Sequence, residues 1–303
     1  MKHAINLIQL YYQVCRWYNR YVDQNVLRFS HNGYQGHISD EELLTIYLFC
    51  TMYEQKTTKK AMHTYIIRHW HTWFPGLPSY QTFNDRLNRL APVFPVLLMQ
   101  VLQEVPSKDQ YEAAVLLGDS FPIMTCAATR QPKVALSLVS KDYCASKDHW
   151  YYGVRLHALA QQSLVHSLPH PVYLQMHTAS KHDLEALRPI LEKVENRLLV
   201  LDKAYCDGPL AQTCQQNQSY LFTPEKQKKG EGEWEKQQRH AYRKVLATAV
   251  ATVRQPIESL FHWIDEKTSI QNASKIRATK GLLLHVFGKI TAAFLTQLPH
   301  FNP

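Results

Sequence analysis

Residues 197–208 read RLLVLDKAYCDG, and most of the fold follows from how that stretch is interpreted. Leu198, Leu199, Val200 and Leu201 form an unbroken apolar run, the pattern of a central strand covered on both faces rather than one with a wet side. Asp202 follows at once. A carboxylate ending a buried strand is costly unless something cationic meets it there, so the run predicts a sheet core with a site at its rim.

A second strand breaks the same rule. AVLLGD, residues 114–119, is apolar up to Gly118 and then meets Asp119. One such aspartate is commonly a cap or turn residue. Two of them, ending buried strands of one sheet, are placed to converge where carbonyl ends and loops make sites. The surrounding texture agrees with a layered α/β architecture. WYYGVRLHALAQ (150–161) and PVYLQMHTA (171–179) read as further strands, KHDLEALRPILEKV (181–194) as a helix leading into 198–201, a helix begins near Gly208, and SYLFTP (219–224) returns to strand.

The third acid lies on a helix. In RQPIESLFHWIDEKT, residues 254–268, Ile257, Leu260, Phe261 and Ile264 recur at i, i+3, i+4 and i+7 and define a buried stripe. Arg254, Glu258 and His262 line up beside it at i, i+4 and i+8. An ordinary surface Arg/Glu pair has the same spacing and contributes only a few tenths of a kcal/mol. Pro256, tolerated only near a helix start or at a kink, indicates a shaped backbone at that point.

Residues 1–105 read as helical throughout. ISDEELLTIYLFCTMYE (38–54) offers Ser39 as N-cap, Glu42 three residues on, and Ile38 with Leu43 as a hydrophobic staple. PSYQTFNDRLNRL (78–90) offers Ser79 as cap and an apolar face of Tyr80, Phe83, Leu87 and Leu90, with Asn84, Arg86, Asn88 and Arg89 on the remainder. With the preceding helix, 59–73, and the turn FPGLPS, this pair suggests a helix-turn-helix-like unit whose second helix presents Arg86 and Arg89 to DNA, although the connection is longer than usual.

Composition narrows the partners. The 303 residues carry 34 Lys and Arg against 25 Asp and Glu, a net charge of +9, which favours a polyanionic partner. Lys226, Lys228, Lys229, Lys236, Arg239, Arg243 and Lys244 fall within twenty residues, and Lys267, Lys275, Arg277 and Lys280 follow. The stretch 225–240 is charged and apolar-poor and predicts a flexible basic excursion. Six scattered cysteines without a C-x-x-C pair fit reduced thiols better than a disulfide frame or a zinc site. No run approaches the roughly 18 apolar residues of a membrane span, and MKHAINLIQLYYQ lacks the apolar core of a secretion signal; a cytoplasmic protein is expected.

DSFPI (119–123) with Cys126 and Arg130 behind it, YYGVRLH (151–157), TASKHD (178–183), LDKAY (201–205) and RQPIESLFHWIDEK (254–267) resemble, in that order, the motifs of bacterial insertion-sequence DDE transposases, closest to the insertion sequence 982 family. The likeness covers most of the chain. It implies an RNase H-like catalytic core at 106–303, a mixed five-stranded sheet flanked by helices with a basic insertion near 225–240, preceded by an all-helical DNA-binding domain at 1–105. Asp119, Asp202 and Glu258 then occupy the positions of the catalytic triad and hold two Mg²⁺ ions, for which Mn²⁺ can substitute. Arg254 and Lys267 become contacts to the scissile strand and Lys203 a contact to flanking backbone. A homodimer or larger assembly on DNA is implied, acting in the bacterial cytoplasm and on the nucleoid. Three positions depart from the family pattern: Ala204 stands where glycine is common, Ala251 where tyrosine is, and Asp265 where lysine is, the nearest lysine being Lys267.

The chemistry explains three acids. Phosphodiesters resist attack because negative oxygens shield phosphorus and the alkoxide leaves poorly, and two ions about 3.5–4 Å apart address both difficulties. Mg²⁺ keeps several waters, so a few carboxylates suffice. A nuclease of the same fold would use the same acids without joining ends. A DNA-binding protein without catalysis would need no acids, and a sugar hydrolase acting through a carboxylate pair would leave the lysine cluster unexplained.

Overall fold

The computed structural model describes residues 2–22, 37–105, 111–129, 135, 137–144, 147–164, 168–226, 230, 232–274, 276 and 278–301. Arg130, Lys228, Lys229, Lys275 and Arg277 lie outside them. The chain divides into two compact units: a helical one of residues 1–106, 131–137 and 264–303, and a sheet-containing one of 107–130 and 138–263. The last forty residues therefore group with the N-terminal helices, whereas the sequence alone places them with the sheet.

The helical unit comprises α1 (Lys2–Trp17), a π-helical turn (Tyr18–Val22), α2 (Asp40–Met52), α3 (Lys59–His69), α4 (Tyr80–Arg89), α5 (Val93–Glu104) and, from the far end of the chain, α9 (Thr279–Leu295). The start of α2 carries the predicted capping box: Glu42 N–H donates to Ser39 Oγ at 3.1 Å and Ser39 N–H to Glu42 Oε2 at 2.6 Å. Ile38 and Leu43 are both buried. Helix α9 is apolar nearly all round, the pattern of a helix enclosed by neighbours rather than lying on a surface; it packs on α2, α4 and α5.

The sheet unit holds β1 (Tyr111–Ala127), β2 (Ser140–Cys144), β3 (His149–Ser163), β4 (His170–Thr178), α6 (Asp183–Leu191), β5 (Leu198–Leu201), a 3₁₀ turn (Lys203–Tyr205), α7 (Gly208–Gln216), β6 (Tyr220–Phe222) and most of α8 (Glu233–Thr268). The strands form one six-stranded mixed sheet. Long β3 pairs antiparallel with β1 along one edge, and its other edge is shared end to end by β2, at residues 149–153, and β4, at 154–161. Strands β5 and β6 add in parallel beyond β1. The sheet is thus five strands wide, as expected of an RNase H-like core, and the sixth strand is β2, whose five residues SKDYC have too little apolar pattern to be seen in sequence.

Period-2 alternation assigns the faces. Leu116 of β1, Leu159 of β3 and Leu199 and Leu201 of β5 join Leu187 and Leu191 of α6 and Leu210 and Cys214 of α7 in one buried cluster. On β1 the alternate positions, Asp119 and Phe121, meet α8: the Phe121 and Phe261 rings stack with centroids 5.2 Å apart. The predicted stripe of α8, Ile257, Leu260, Phe261 and Ile264, is buried throughout.

Two local expectations are corrected. Asp119 does not end its strand; β1 continues to Ala127 because β3 keeps pairing with it, and only the parallel pairing to β5 stops, at Gly118 and Leu201. The expected basic excursion near 225–240 is helical from Glu233 onward, where α8 begins.

Close strand packing leaves a testable mark at Gly153. A Cβ there would collide with the backbone carbonyl of Ile123, whereas one at Gly208 meets nothing within 4 Å. Gly153→Ala is expected to lower stability by about 1–3 kcal/mol, read as a reduced urea midpoint, with Gly208→Ala close to wild type. Equal midpoints for the two variants would contradict the packing described.

Candidate functional site

The sheet register brings the first two acids together. Because β1 and β5 are parallel and Gly118 sits opposite Leu201, the next residue on each chain, Asp119 and Asp202, lies at the same height on neighbouring strands. Asp202 then leaves the strand and caps the 3₁₀ turn, accepting from Lys203 N–H at 2.6 Å. Asp119 accepts from Ser120 N–H at 2.8 Å.

Helix α8 supplies the rest. Arg254 lies one turn before Glu258, and its guanidinium reaches all three acids: Nη2 is 2.9 Å from Asp119 Oδ2 and 3.5 Å from Glu258 Oε1, and Nη1 is 3.7 Å from Asp202 Oδ1. Pro256, between them in sequence, has no N–H to give Thr252, so one main-chain carbonyl beside the cluster lacks its helical donor. The acids are graded in exposure, their side chains being 21% (Asp119), 49% (Asp202) and 59% (Glu258) accessible, while that of Arg254 is 9%. Asp119 is the deepest. Burial pushes its carboxyl up to about 6, with the Arg254 guanidinium pulling the other way and Glu258 and Asp202 adding to the rise.

Three carboxyl groups face one guanidinium, more acid than Arg254 alone can compensate, so a further cation is electrostatically welcome. The donors are all carboxylate oxygens, suited to a hard divalent ion. Among the described residues no three His, Cys, Asp or Glu side chains stand close enough together to ligate one ion as they are placed; the acids are spread around the guanidinium instead. The chemistry of the set fits a divalent ion that takes over the charge Arg254 now supplies.

Other predicted residues are placed differently. Lys203 is exposed beside Asp202. Lys267 is exposed in the last turn of α8, within the helical unit, and Asp265 accepts from Gln271 N–H at 2.9 Å and so fixes the chain after the helix. Arg89 is exposed on α4. Arg86 turns inward: Nη1 donates to the Ile38 carbonyl at 2.7 Å and Nη2 to Asp40 Oδ1 at 3.0 Å, so it holds the start of α2 rather than facing a ligand. Arg155 is likewise internal, bridging Asp142 of β2 and Asp183 of α6 at 2.6 and 2.8 Å. The fully buried ring of His157 packs against His177, with centroids 5.2 Å apart, and burial pushes it down to about 4.

The sign of the Asp119 shift gives a prediction. A folded-state pKa near 6 above an ordinary 3.8 means that the native state binds the extra proton between those values; stability therefore falls as pH rises through that window, by roughly 3 kcal/mol in all. Carbon-detected NMR titration in EDTA is expected to place the Asp119 carboxyl near 6, with Arg254→Met moving it up and Glu258→Gln moving it down. An unshifted carboxyl would contradict the burial described.

Over residues 112–295 the chain matches the family described as transposase DDE domain, a span of more than half its length that includes all three acids and Arg254. No curated protein matches it. Among solved structures, a chain of the "Crystal structure of a pre-cleavage Mos1 transpososome" is similar at 12% identity and a TM-score of 0.21, over 93% of this chain and 86% of that one, a likeness too slight to carry any argument. Among the described residues no helix is long and apolar enough to cross a membrane. On the family match, the chain belongs to the transposase DDE domain family.

Proposed function

We propose that this chain is a transposase that cuts DNA at the ends of an insertion sequence and joins the freed ends to target DNA, with Asp119, Asp202 and Glu258 as its catalytic acids. The observation that carries the proposal is the convergence of those three carboxylates on one guanidinium, at the rim of a sheet whose sequence belongs to the transposase DDE domain family. The order of the five motifs supports the narrower placement in the insertion sequence 982 family.

The residues divide the work. Asp119, deepest and flanked by the other two, would hold both Mg²⁺ ions, or Mn²⁺ in their place, with Asp202 and Glu258 each favouring one. When bound, such a pair activates the attacking oxygen and stabilises the leaving one. With the carboxylates compensated by such ions, Arg254 would be free to donate a fork of N–H groups to phosphate oxygens. Lys203, exposed beside Asp202, would neutralise flanking backbone, Lys267 would join Arg254 on the scissile-strand phosphates, and Arg89 would add charge elsewhere.

Two displacements at one site account for the reaction. In the first, a water oxygen bonds to phosphorus at the element's end while the bond from phosphorus to the 3′ oxygen breaks, and that oxygen takes up a proton as a free 3′-hydroxyl. In the second, the 3′-hydroxyl gives up its proton and bonds to a phosphorus of target DNA while that phosphorus loses its bond to the target strand's 3′ oxygen, which leaves and takes up a proton as a new 3′-hydroxyl. Two element ends must be held together for concerted insertion, so a homodimer or larger assembly on DNA is the working form, in the bacterial cytoplasm and on its nucleoid.

Labelled DNA carrying the element's end, incubated with target plasmid, tests the proposal. Cleavage and joined products are expected with Mg²⁺ or Mn²⁺ and neither with EDTA, and Asp119→Ala, Asp202→Ala and Glu258→Ala should each reduce both by more than about a hundredfold while DNA binding persists. Cleavage without joining would identify a nuclease of the same fold, and Asp202→Ala as active as wild type would make that residue a strand-end cap and no more.

A further inference from the structure

Within the helical unit a cavity of ≈ 1340 Å³ opens between the start of α3, the outer face of α4 and the chain from Ser269 into α9. Its walls are basic: Lys56, Lys59, Lys60 and Arg68 line it against the one described acid, Asp85. That distribution runs against local helix rules. Acids belong in the first turn of a helix, where they complement the dipole, and α2 has Asp40, Glu41 and Glu42 there. Helix α3 has none and opens with two lysines instead.

Helix α9 starts at the same cavity, also without an acid in its first turn, and its N-cap, Ala278, offers no side chain to the free N–H groups. Two helix N-termini, that of α3 capped by Thr58 Oγ, and a cluster of lysines thus line one cavity, an arrangement that favours an anion there. Lys59 is the most committed member. Its Nζ donates to Asn88 Oδ1 at 2.7 Å, a neutral partner, and burial pushes its ammonium down to about 8. Gly281 lets α9 approach that pair: a Cβ there would stand 3.2 Å from Asn88 Oδ1. Lys60 and Arg68 are exposed, and Lys56 lies over the Tyr65 ring, 5.1 Å from its centroid, a cation held beside an aromatic face.

We infer that this cavity is a DNA-backbone groove, in which Lys56, Lys59, Lys60 and Arg68 contact successive phosphates of a strand bound to the helical unit. Size decides between a polymer and a small anion, since single small ligands occupy roughly 300–1,000 Å³ and this space is larger. Its chemistry suits sugar-phosphate: cations for the phosphates, with Tyr65, Asn84 and Asn88 lining the same cavity for sugars and base edges. The groove also relocates the DNA contact expected of α4, from the inward-turned Arg86 to the side of the helix that carries Asn84 and Asn88. The inference rests on the proposal that DNA is the substrate.

The test uses the full chain and a fluorescein-labelled 40-base-pair duplex, with Kd from anisotropy across a series of salt concentrations. Lys60→Ala combined with Arg68→Ala should weaken binding roughly tenfold at 0.15 M salt and lower the slope of log Kd against log salt by about 2, one for each lost phosphate contact. Lys60→Arg with Arg68→Lys keeps both charges and should bind as wild type does. Wild-type circular dichroism and melting in the alanine variant would separate lost contacts from lost fold; if that variant does not fold, Lys60→Gln alone should lower the slope by about 1. Binding by wild type with an unchanged slope in the variants would overturn the groove and leave the transposase proposal standing. Absence of duplex binding by wild type would overturn both. Displacement of the duplex by polyglutamate as readily as by unlabelled DNA of equal charge would identify the groove as a site for acidic protein and overturn the inference.

Discussion

The sheet unit is organised around the meeting of one nearly buried guanidinium with three carboxylates. Arg254 cannot lose its proton to escape burial, so an arginine at 9% side-chain exposure requires anions at its tip. They come from three separate places in the chain: β1, the turn after β5, and the next turn of α8 itself. Satisfying that charge ties the helix to the sheet at a fixed height, and the stacking of Phe121 on Phe261 fixes the same contact one step along each element. The parallel register of β1 with β5 completes the constraint, since a shift of one residue would turn the neighbouring aspartate to the other face.

This explains which parts of the site were legible in sequence. Asp202 announced itself because an apolar run on both faces has no tolerance for a carboxylate, and Glu258 because the stripe of α8 was complete enough to show what lay beside it. The course of β1 past Asp119 was hidden: DSFPI contains proline and alternates poorly, and only the length of β3 across from it keeps the strand going. Strand β2 was missed because an edge strand of five residues, three of them polar or charged, carries almost no periodic signal. The role of Arg254 as the hub of the acids could not be read either, because i, i+4 spacing to Glu258 is common on surface helices and says nothing of two aspartates 135 and 52 residues away in sequence.

The helical unit repeats the lesson. The capping box of α2 was visible because its rule is local. The grouping of α9 with the N-terminal helices was not, since a helix that is apolar all round states only that it is enclosed and not by what. Lys289, inside that helix, is almost wholly buried and donates to the Ser269 carbonyl at 3.0 Å, a partner no spacing rule could have named. Both units set charge against local rules in one place each: a carboxyl, Asp119, raised by burial although Arg254 faces it, and lysines at the positive end of α3. Charge set against local rules in this way is a feature of functional sites rather than of packing.

Manganese binding tests the carboxylate cluster as a cation site most directly. Electron paramagnetic resonance of Mn²⁺ titrated into wild type and into Asp202→Asn, each with an element-end duplex, reads the site without depending on turnover. A cation site built from Asp119, Asp202 and Glu258 predicts saturable loss of the free Mn²⁺ signal at two ions per chain in wild type, and clear weakening in Asp202→Asn. Indistinguishable titrations of the two proteins would contradict it and leave Arg254 as the only cation those acids were assembled to hold.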